Sequence, residues 1–213
     1  MNSLPVHRSI LAVDLEGSTS ALRTNPIKEQ LRNRVYQYLI DALAYAGIES
    51  RHCDPFEDRG DGVLILVHPA DDIPKTYLLS RFFPELSRLL INYNVSLTPA
   101  EWPCRRLRLR VVVHAGEVHR DDNGYFGEEL DVACRLLDAP RVKRRLLEAA
   151  GPLVLVVSED IFWGIVRHEY DGIRADAFQL EVRVRVAGRR RQGWIHVPDD
   201  VLMLLAVDTG EVA

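Results

Sequence analysis

Two aspartates stand where the chain is expected to turn, and both are suited to binding divalent metal ions. Asp14 follows a short apolar run at residues 9–13, and Asp61 lies in the turn sequence Gly60-Asp61-Gly62. If the two turns meet, their carboxylates supply the oxygen ligands that Mg²⁺ and Mn²⁺ prefer. A pair of such ions can activate an attacking oxygen and stabilise a leaving pyrophosphate. An aspartate between two glycines is also a common turn residue without any metal role.

Two further sets of residues could bind phosphate groups or stabilise their charge. The segment after the first aspartate offers backbone N–H groups and hydroxyls to a phosphate chain; it contains Gly17, Ser18 and Thr19. Asp131 and Arg135 stand four residues apart on a predicted helix, so they project from one face of it. An arginine there could neutralise charge on a transferring phosphoryl group. The alternative is a surface salt bridge between these two side chains.

Hydrophobic spacing predicts the elements that position these residues. A buried strand at 9–13 leads into the Asp14 loop, and an amphipathic helix runs from Asn25 to a C-cap at Gly47. Strands at 48–53 and 63–67 are predicted to bracket Asp61 as a hairpin, followed by a helix over 74–92.

The next segment, 107–114, alternates apolar residues with Arg108 and Arg110 and predicts a half-exposed strand. A turn at Ala115 and Gly116 should lead into a short arm over 117–119. The resulting order, β-α-β-β-α-β, is that of ferredoxin-like folds.

The remaining elements extend this α+β domain. We predict a helix from Glu128, a strand at 153–157, a short helix capped by Ser158, and a final hairpin that ends at 194–197. Residues 1–198 should therefore form one domain, and residues 199–213 a C-terminal tail.

Composition favours a small cytoplasmic protein. The 213 residues contain 27 Lys and Arg against 31 Asp and Glu, and the net charge of −4 gives no basic field for nucleic acid. The three cysteines lack a CxxC spacing, so neither a disulfide framework nor a zinc site is predicted. No signal-peptide pattern and no apolar stretch of bilayer length is found, so stable membrane insertion is not expected. His114 and His119 with Glu117 could suggest a metal site, but His114 ends an apolar strand and favours a structural role.

Four segments, in order, resemble the signature blocks of class III adenylate and guanylate cyclases. They are LAVDLEGST at 11–19, RGDG at 59–62, RVVVHAGEV at 110–118, and YFG at 125–127 continuing to ACRLL at 133–137. The resemblance implies a homodimer of ferredoxin-like domains with active sites at the interface. It also implies conversion of a nucleoside triphosphate to a 3′,5′-cyclic monophosphate and pyrophosphate.

The resemblance further assigns roles to particular residues. Asp14 and Asp61 would bind two Mn²⁺ or Mg²⁺ ions with help from the main chain of Leu15. Arg135 of the other subunit would stabilise the transition state as the ribose 3′-oxygen attacks the α-phosphorus. Asp131 occupies the position of the family's ribose-orienting residue, which is usually Asn.

The two base-selecting positions of the family fall on Glu57 and Gly124. Adenylate cyclases carry Lys at the first position, whereas guanylate cyclases carry Glu, and purine cyclases carry Asp or Cys at the second. The missing purine determinants also resemble stand-alone bacterial pyrimidine cyclases, which make cyclic UMP or cyclic CMP in antiphage signalling. A guanylate cyclase is the alternative, as is a catalytically inactive cyclase-like module that binds a nucleotide or a partner.

Overall fold

A computed structural model of the chain describes residues 4–198, and the predicted tail at 199–213 lies outside them. Its strands are β1 (Val6–Leu15), β2 (Glu57–Asp58), β3 (Gly62–Val67), β4 (Leu109–Asp121), β5 (Gly124–Phe126), β6 (Leu153–Ser158), β7 (Gln179–Val186) and β8 (Arg189–His196). Its α-helices are α1 (Asn25–Tyr45), α2 (Phe83–Ser96), α3 (Trp102–Arg105), α4 (Glu128–Leu137), α5 (Pro140–Glu148) and α6 (Glu159–Gly164). A π-helical turn, Leu78–Phe82, leads into α2.

The strands form one mixed sheet in the order β2-β3-β1-β4-β6-β8-β7, and β5 pairs with the end of β4. β1 lies between β3 and β4 and is antiparallel to both, whereas β4 and β6 are parallel. The order β2-β3-β1-β4, with α1 and α2 as the two connections, is the ferredoxin-like arrangement. The predicted α+β fold with additional C-terminal strands and helices is therefore confirmed.

Both faces of the sheet are covered, which explains the long apolar runs in its central strands. Leu11 and Val13 of β1 point towards a core shared with α1 and α2, and Ile10 and Ala12 point towards a core shared with α4 and α5. Every residue of β6 is buried. A strand that is buried on both faces gives a continuous hydrophobic run, because neither set of alternating side chains meets water.

Two of the predicted helix boundaries have clear local causes. Pro26 occupies the first turn of α1, where its missing N–H is not needed. The Ser158 hydroxyl caps α6 by accepting from the Ile161 N–H at 3.5 Å, as the sequence predicted. Among residues 4–198, every helix is too short or too polar to cross a bilayer.

Several predicted elements were wrong in detail. Residues 48–53 do not form a strand: a 3₁₀ turn lies at Ser50–His52, and the hairpin partner of β3 is the two-residue β2. The predicted helix over 74–92 begins later, at the π-helical turn, and continues to Ser96.

The predicted features of β4 also need correction. The expected turn at Ala115 and Gly116 is absent, because β4 continues without a break to Asp121. Arg108 and Arg110 are not half-exposed but only 7% and 8% exposed. Periodicity alone could not reveal this, because both arginines are buried by specific partners rather than by apolar packing.

Candidate active site

The end of β1 and the β2–β3 hairpin bring Asp14 and Asp61 together. In the sheet, Asp14 lies opposite Gly62 of β3, and the Leu15 N–H donates to the main-chain oxygen of Asp61 at 3.0 Å. Gly62 permits this close approach, because an added Cβ would lie 2.6 Å from the Val13 carbonyl oxygen. We call Asp14, Leu15 and Asp61 the metal-side group.

Arg110 of β4 neutralises the first of these carboxylates. Asp14 lies opposite Arg110 in the sheet, and the Arg110 Nη2 forms an ion pair with its Oδ2. Burial raises the pKa of the Asp14 carboxyl above its ordinary value, and the negative charges of Asp61 and Asp138 raise it further, whereas Arg110 lowers it. The positive charge of Arg110 therefore favours the ionised carboxylate that a metal ion requires.

Arg110 also has an unused donor inside the site. Its Nη1 is buried and has no hydrogen-bond partner among residues 4–198. Because buried donors in proteins are nearly always satisfied, this N–H group is suited to donate to a buried water. Sequence reasoning missed Arg110, which alternation placed on a solvent-facing side of the strand.

The loop after β1 folds back over the second aspartate. The Ser18 hydroxyl donates to the Asp61 Oδ2 at 2.5 Å, and the Ser20 N–H closes a turn onto the Gly17 oxygen at 3.0 Å. Gly17 has φ +72, a left-handed conformation that glycine adopts without strain. Ser18 and the exposed Thr19 line a cavity of about 360 Å³ beside Asp61.

A buried arginine that the sequence analysis did not single out holds this loop. Arg23 is 9% exposed and donates to the main-chain oxygens of Glu16 and Arg106, both at 2.7 Å. Its guanidinium lies beside Gly17, where an added Cβ would be 3.7 Å from it. The loop therefore owes its position to side-chain bonds that no sequence motif reveals.

The two predicted base-selecting residues also lie together, and we call them the base-side group. Glu57 accepts from Arg59 at 2.7 Å and from the Tyr125 N–H at 3.3 Å. Gly124 has φ +126, and an added Cβ there would lie 3.0 Å from the Glu57 Oε1. The Glu57 carboxylate thus lies next to the space that a side chain at residue 124 would occupy.

Asp131 and Arg135, which we call the helix-side group, project from α4 into solvent. The salt bridge considered as an alternative does not form, and neither side chain has a hydrogen bond or ion pair with any residue in the range 4–198. The structure therefore does not bring the helix-side group into contact with the metal-side group of the same chain.

A second set of possible metal ligands combines one residue each from β4, α4 and α6. His114, Glu129 and Asp160 each offer one ligand atom, and these atoms lie within 4.8 Å of one another. His114 is fully buried, and both of its ring nitrogens have hydrogen-bond partners, Ser158 Oγ and Glu129 Oε2, at 2.7 Å. This supports the structural role predicted for His114.

Neither protein-family models nor curated proteins match this chain. Several solved structures do match it. An adenylate/guanylate cyclase/hydrolase from Silicibacter pomeroyi superposes with a TM-score of 0.62 at 23% identity, covering 93% of this chain and 100% of that one. The guanylyl cyclase Cya2 gives 0.59 at 18% identity, covering 93% and 96%. The adenylyl cyclase CyaB from P. aeruginosa gives 0.58 at 14% identity, covering 93% and 97%.

These three similar structures span almost the whole of both chains in each comparison, so the likeness concerns the complete domain rather than a shared motif. All three are named as adenylyl or guanylyl cyclases. The chain therefore has the fold of the class III nucleotide cyclase catalytic domain.

Proposed function

We propose that this protein is a class III nucleotide cyclase that converts a nucleoside triphosphate to a 3′,5′-cyclic monophosphate and pyrophosphate. The observation that carries the proposal is the convergence of Asp14 and Asp61, joined by the Leu15 to Asp61 backbone bond. A binding module without catalysis has no need for two carboxylates held side by side on a sheet end.

The donor set fits Mn²⁺ or Mg²⁺. Asp14 and Asp61 supply carboxylate oxygens, and the Leu15 main chain supplies another donor, which matches the oxygen preference of these ions. When bound, two such ions would supply charge stabilisation for the attacking and leaving oxygens. Arg110 favours the ionised form of Asp14, and the Ser18 hydroxyl, which donates to Asp61, orients the second carboxylate.

The chain's own residues would hold the triphosphate and the ribose. The loop over Gly17–Thr19 faces the cavity beside Asp61, where backbone N–H groups and hydroxyls can receive phosphate oxygens. Arg135 would neutralise charge that develops on the α-phosphate, and Asp131 would accept a hydrogen bond from a ribose hydroxyl.

A homodimer supplies the missing half of each site in this proposal. The helix-side group has no partner within residues 4–198, and the metal-side group has no cation beyond Arg110 in its ion pairs. If two copies pair head to tail, the helix-side group of one faces the metal-side group of the other. A cytoplasmic homodimer remains our expectation.

For the base we propose a pyrimidine, giving cyclic UMP or cyclic CMP. Gly124 has no side chain, and its positive φ disfavours a residue that has one. The Glu57 carboxylate lies next to the space that such a side chain would occupy. The base-side group therefore provides one carboxylate, held by Arg59, instead of two side chains that span a purine. Production of such a messenger would suit antiphage signalling. Glu57 also supports guanine as the alternative base, because its carboxylate can accept from guanine N1–H and N2–H.

The test is an assay of the purified protein with Mn²⁺ and each of ATP, GTP, CTP and UTP, with products identified by mass spectrometry. Asp61→Ala should abolish the product, whereas Asp72→Ala, which removes an exposed loop carboxylate, should not. A product from UTP or CTP supports the pyrimidine proposal, and a product from GTP supports the alternative. If folded wild-type protein forms no product from any of the four, the cyclase proposal is wrong and an inactive binding module takes its place.

A further inference from the structure

The first turn of α4 is tied to the central strand β4 by a partly buried hydrogen bond. The Nε2 of His114 lies 2.7 Å from the Oε2 of Glu129, and the Nδ1 lies 2.7 Å from the Ser158 hydroxyl. His114 is 0% exposed and the Glu129 side chain is 23% exposed, so the bond is shielded from water on the histidine side. Neither residue belongs to the metal-side, base-side or helix-side group.

The surrounding contacts indicate where the proton lies. The Ser158 oxygen accepts from the Ile161 N–H, which leaves its own proton free for donation to the Nδ1 of His114. Burial lowers the pKa of His114, against the opposing effect of Glu129, and so favours the neutral ring. A neutral ring that accepts at Nδ1 carries its proton at Nε2 and donates it to the Glu129 carboxylate.

Gly116 makes room for this contact. An added Cβ at Gly116 would lie 2.4 Å from the Cγ of Glu129 and 2.8 Å from its Cβ. The strand and the helix therefore approach as closely as a glycine allows at this point. Any side chain at Gly116 would push the first turn of α4 away from β4.

Directional contacts of this kind matter because α4 is otherwise held mainly by apolar packing, with ion pairs from Arg191 to Glu128 and Glu129 in its first turn. Leu130, Ala133 and Leu136 are buried against the sheet, and such packing resists separation more than sliding or rotation. Glu129 lies two residues before Asp131 and six before Arg135 on the same helix. A contact that fixes Glu129 therefore also fixes the positions of Asp131 and Arg135 along the axis of α4 and their rotation about it.

We propose that the His114–Glu129 hydrogen bond is a positioning device that holds α4 so that Arg135 meets the reacting phosphate. The inference rests on the proposed cyclase activity. It makes Glu129 and His114 positioning residues, since neither faces the nucleotide and both act through Arg135.

Steady-state kinetics of four proteins test the inference: wild type, Glu129→Ala, Glu129→Gln and Glu128→Ala. Loss of the tether should lower kcat on the order of 10- to 100-fold, with KM changed little, because a displacement of about 1 Å is enough for such a loss. Gln retains an acceptor for the His114 N–H and should recover most of kcat. Glu128→Ala removes the neighbouring carboxylate, which pairs with Arg191 at 2.7 Å, and should leave kcat within about twofold of wild type, because Arg191 keeps its contact with Glu129 at 3.4 Å.

A double-mutant cycle separates positioning from general destabilisation. In an Arg135→Ala background, Glu129→Ala should have little further effect on kcat, because the residue through which it acts is already missing. Equal losses in both backgrounds, or a Glu129→Ala enzyme with wild-type kcat, would overturn the inference. Melting temperatures of all variants identify any that fail to fold, and Glu129→Gln then provides the comparison.

The inference and the proposed function fail in different ways. The Nε2 proton of His114, hydrogen-bonded and buried, should give a slowly exchanging downfield NMR signal in wild type that is lost in Glu129→Ala. If wild type shows this signal but no cyclic product, the cyclase proposal is wrong and the catalytic role of the tether falls with it. If wild type is active but the signal is absent, the proposed hydrogen bond is wrong.

Discussion

The metal-side and helix-side groups of the site are built in opposite ways. Asp14 and Asp61 are fixed by the sheet register, by the hydrogen bond from the Leu15 N–H to the Asp61 oxygen, by the Arg110 ion pair with Asp14 and by the Ser18 hydrogen bond to Asp61. Arg135, by contrast, extends from α4 into solvent without a partner in the described part of the chain.

In the proposed cyclase, this difference indicates how the active site would be divided between two chains. A group that a single chain already holds in place can be ready for its ligand before any partner arrives. An exposed and unpaired arginine becomes effective only when something removes it from water, because water screens its charge. The contrast between the two groups supports an active site that one chain begins and a second copy completes.

Removing a carboxylate from the metal-side group should have the largest effect. We expect Asp61→Asn to lower kcat about 1,000-fold or more, because the neutral amide cannot replace a charged metal ligand. The fold should persist, since the backbone bond between Leu15 and residue 61 does not need the carboxylate. Cyclase assays over a range of Mn²⁺ concentrations, with circular dichroism for folding, check this. Activity within tenfold of wild type would show that Asp61 is not a metal ligand.

Removing the cation of the helix-side group should have the next largest effect. Arg135→Ala should lower kcat on the order of 100- to 1,000-fold, with a smaller change in KM, because the arginine acts on charge that develops in the transition state. Arg144→Ala, which removes an exposed arginine of α5, is the matched control and should leave kcat unchanged. If Arg135→Ala and Arg144→Ala have the same kcat, Arg135 has no special role in catalysis. The contrast between the two groups would then have no consequence for activity.

The close approach of β1 and β3 can be disturbed without touching a charged group. In Gly62→Ala the new Cβ would lie 2.6 Å from the Val13 oxygen, so the strands must shift apart. We expect a loss of about 1–3 kcal/mol in the free energy of unfolding, as for other overpacked sites. Gly60→Ala, at a position open to solvent but with φ +82, should cost less. Urea denaturation of both variants measures the difference, and equal losses would contradict the account.

The smallest expected effect is a dependence of stability on pH. Burial lowers the pKa of both His114 and His196, so the unfolded chain binds protons more readily than the folded one. Stability due to these residues is therefore full above about pH 6.5 and is lost as the pH falls below that value. Urea midpoints at several pH values should show this loss, and His196→Phe should reduce it. A stability that rises on acidification would be the opposite of this expectation.

Sequence reasoning predicted the fold better than the surroundings of the site. The positions of Asp14 and Asp61 follow from strand ends and a glycine turn, which are local signals, and the structure brings the two residues together as predicted. Arg110 and Arg23 were missed because their burial depends on partners far away in sequence: Asp14 is 96 residues from Arg110, and Arg106 is 83 from Arg23. No periodicity within one segment can encode such a contact.

The errors in secondary structure have a similar origin. Gly116 was predicted to form a turn, as isolated glycines often do. In the structure it lies within β4, where it accommodates the close approach of Glu129. The predicted strand at 48–53 failed because, of its residues, Cys53 alone forms a bridge to β3, at Val67, and the two-residue β2 is the hairpin partner instead.

Mixing two inactive variants tests the central claim most directly. Co-expressed Asp61→Asn and Arg135→Ala chains, each with a different affinity tag, can be purified as heterodimers. If one copy supplies the metal-side group and the other supplies the helix-side group, each heterodimer contains one intact site and should recover about half of the wild-type activity. If the heterodimer is as inactive as either parent, each site is formed within a single chain and the account is wrong.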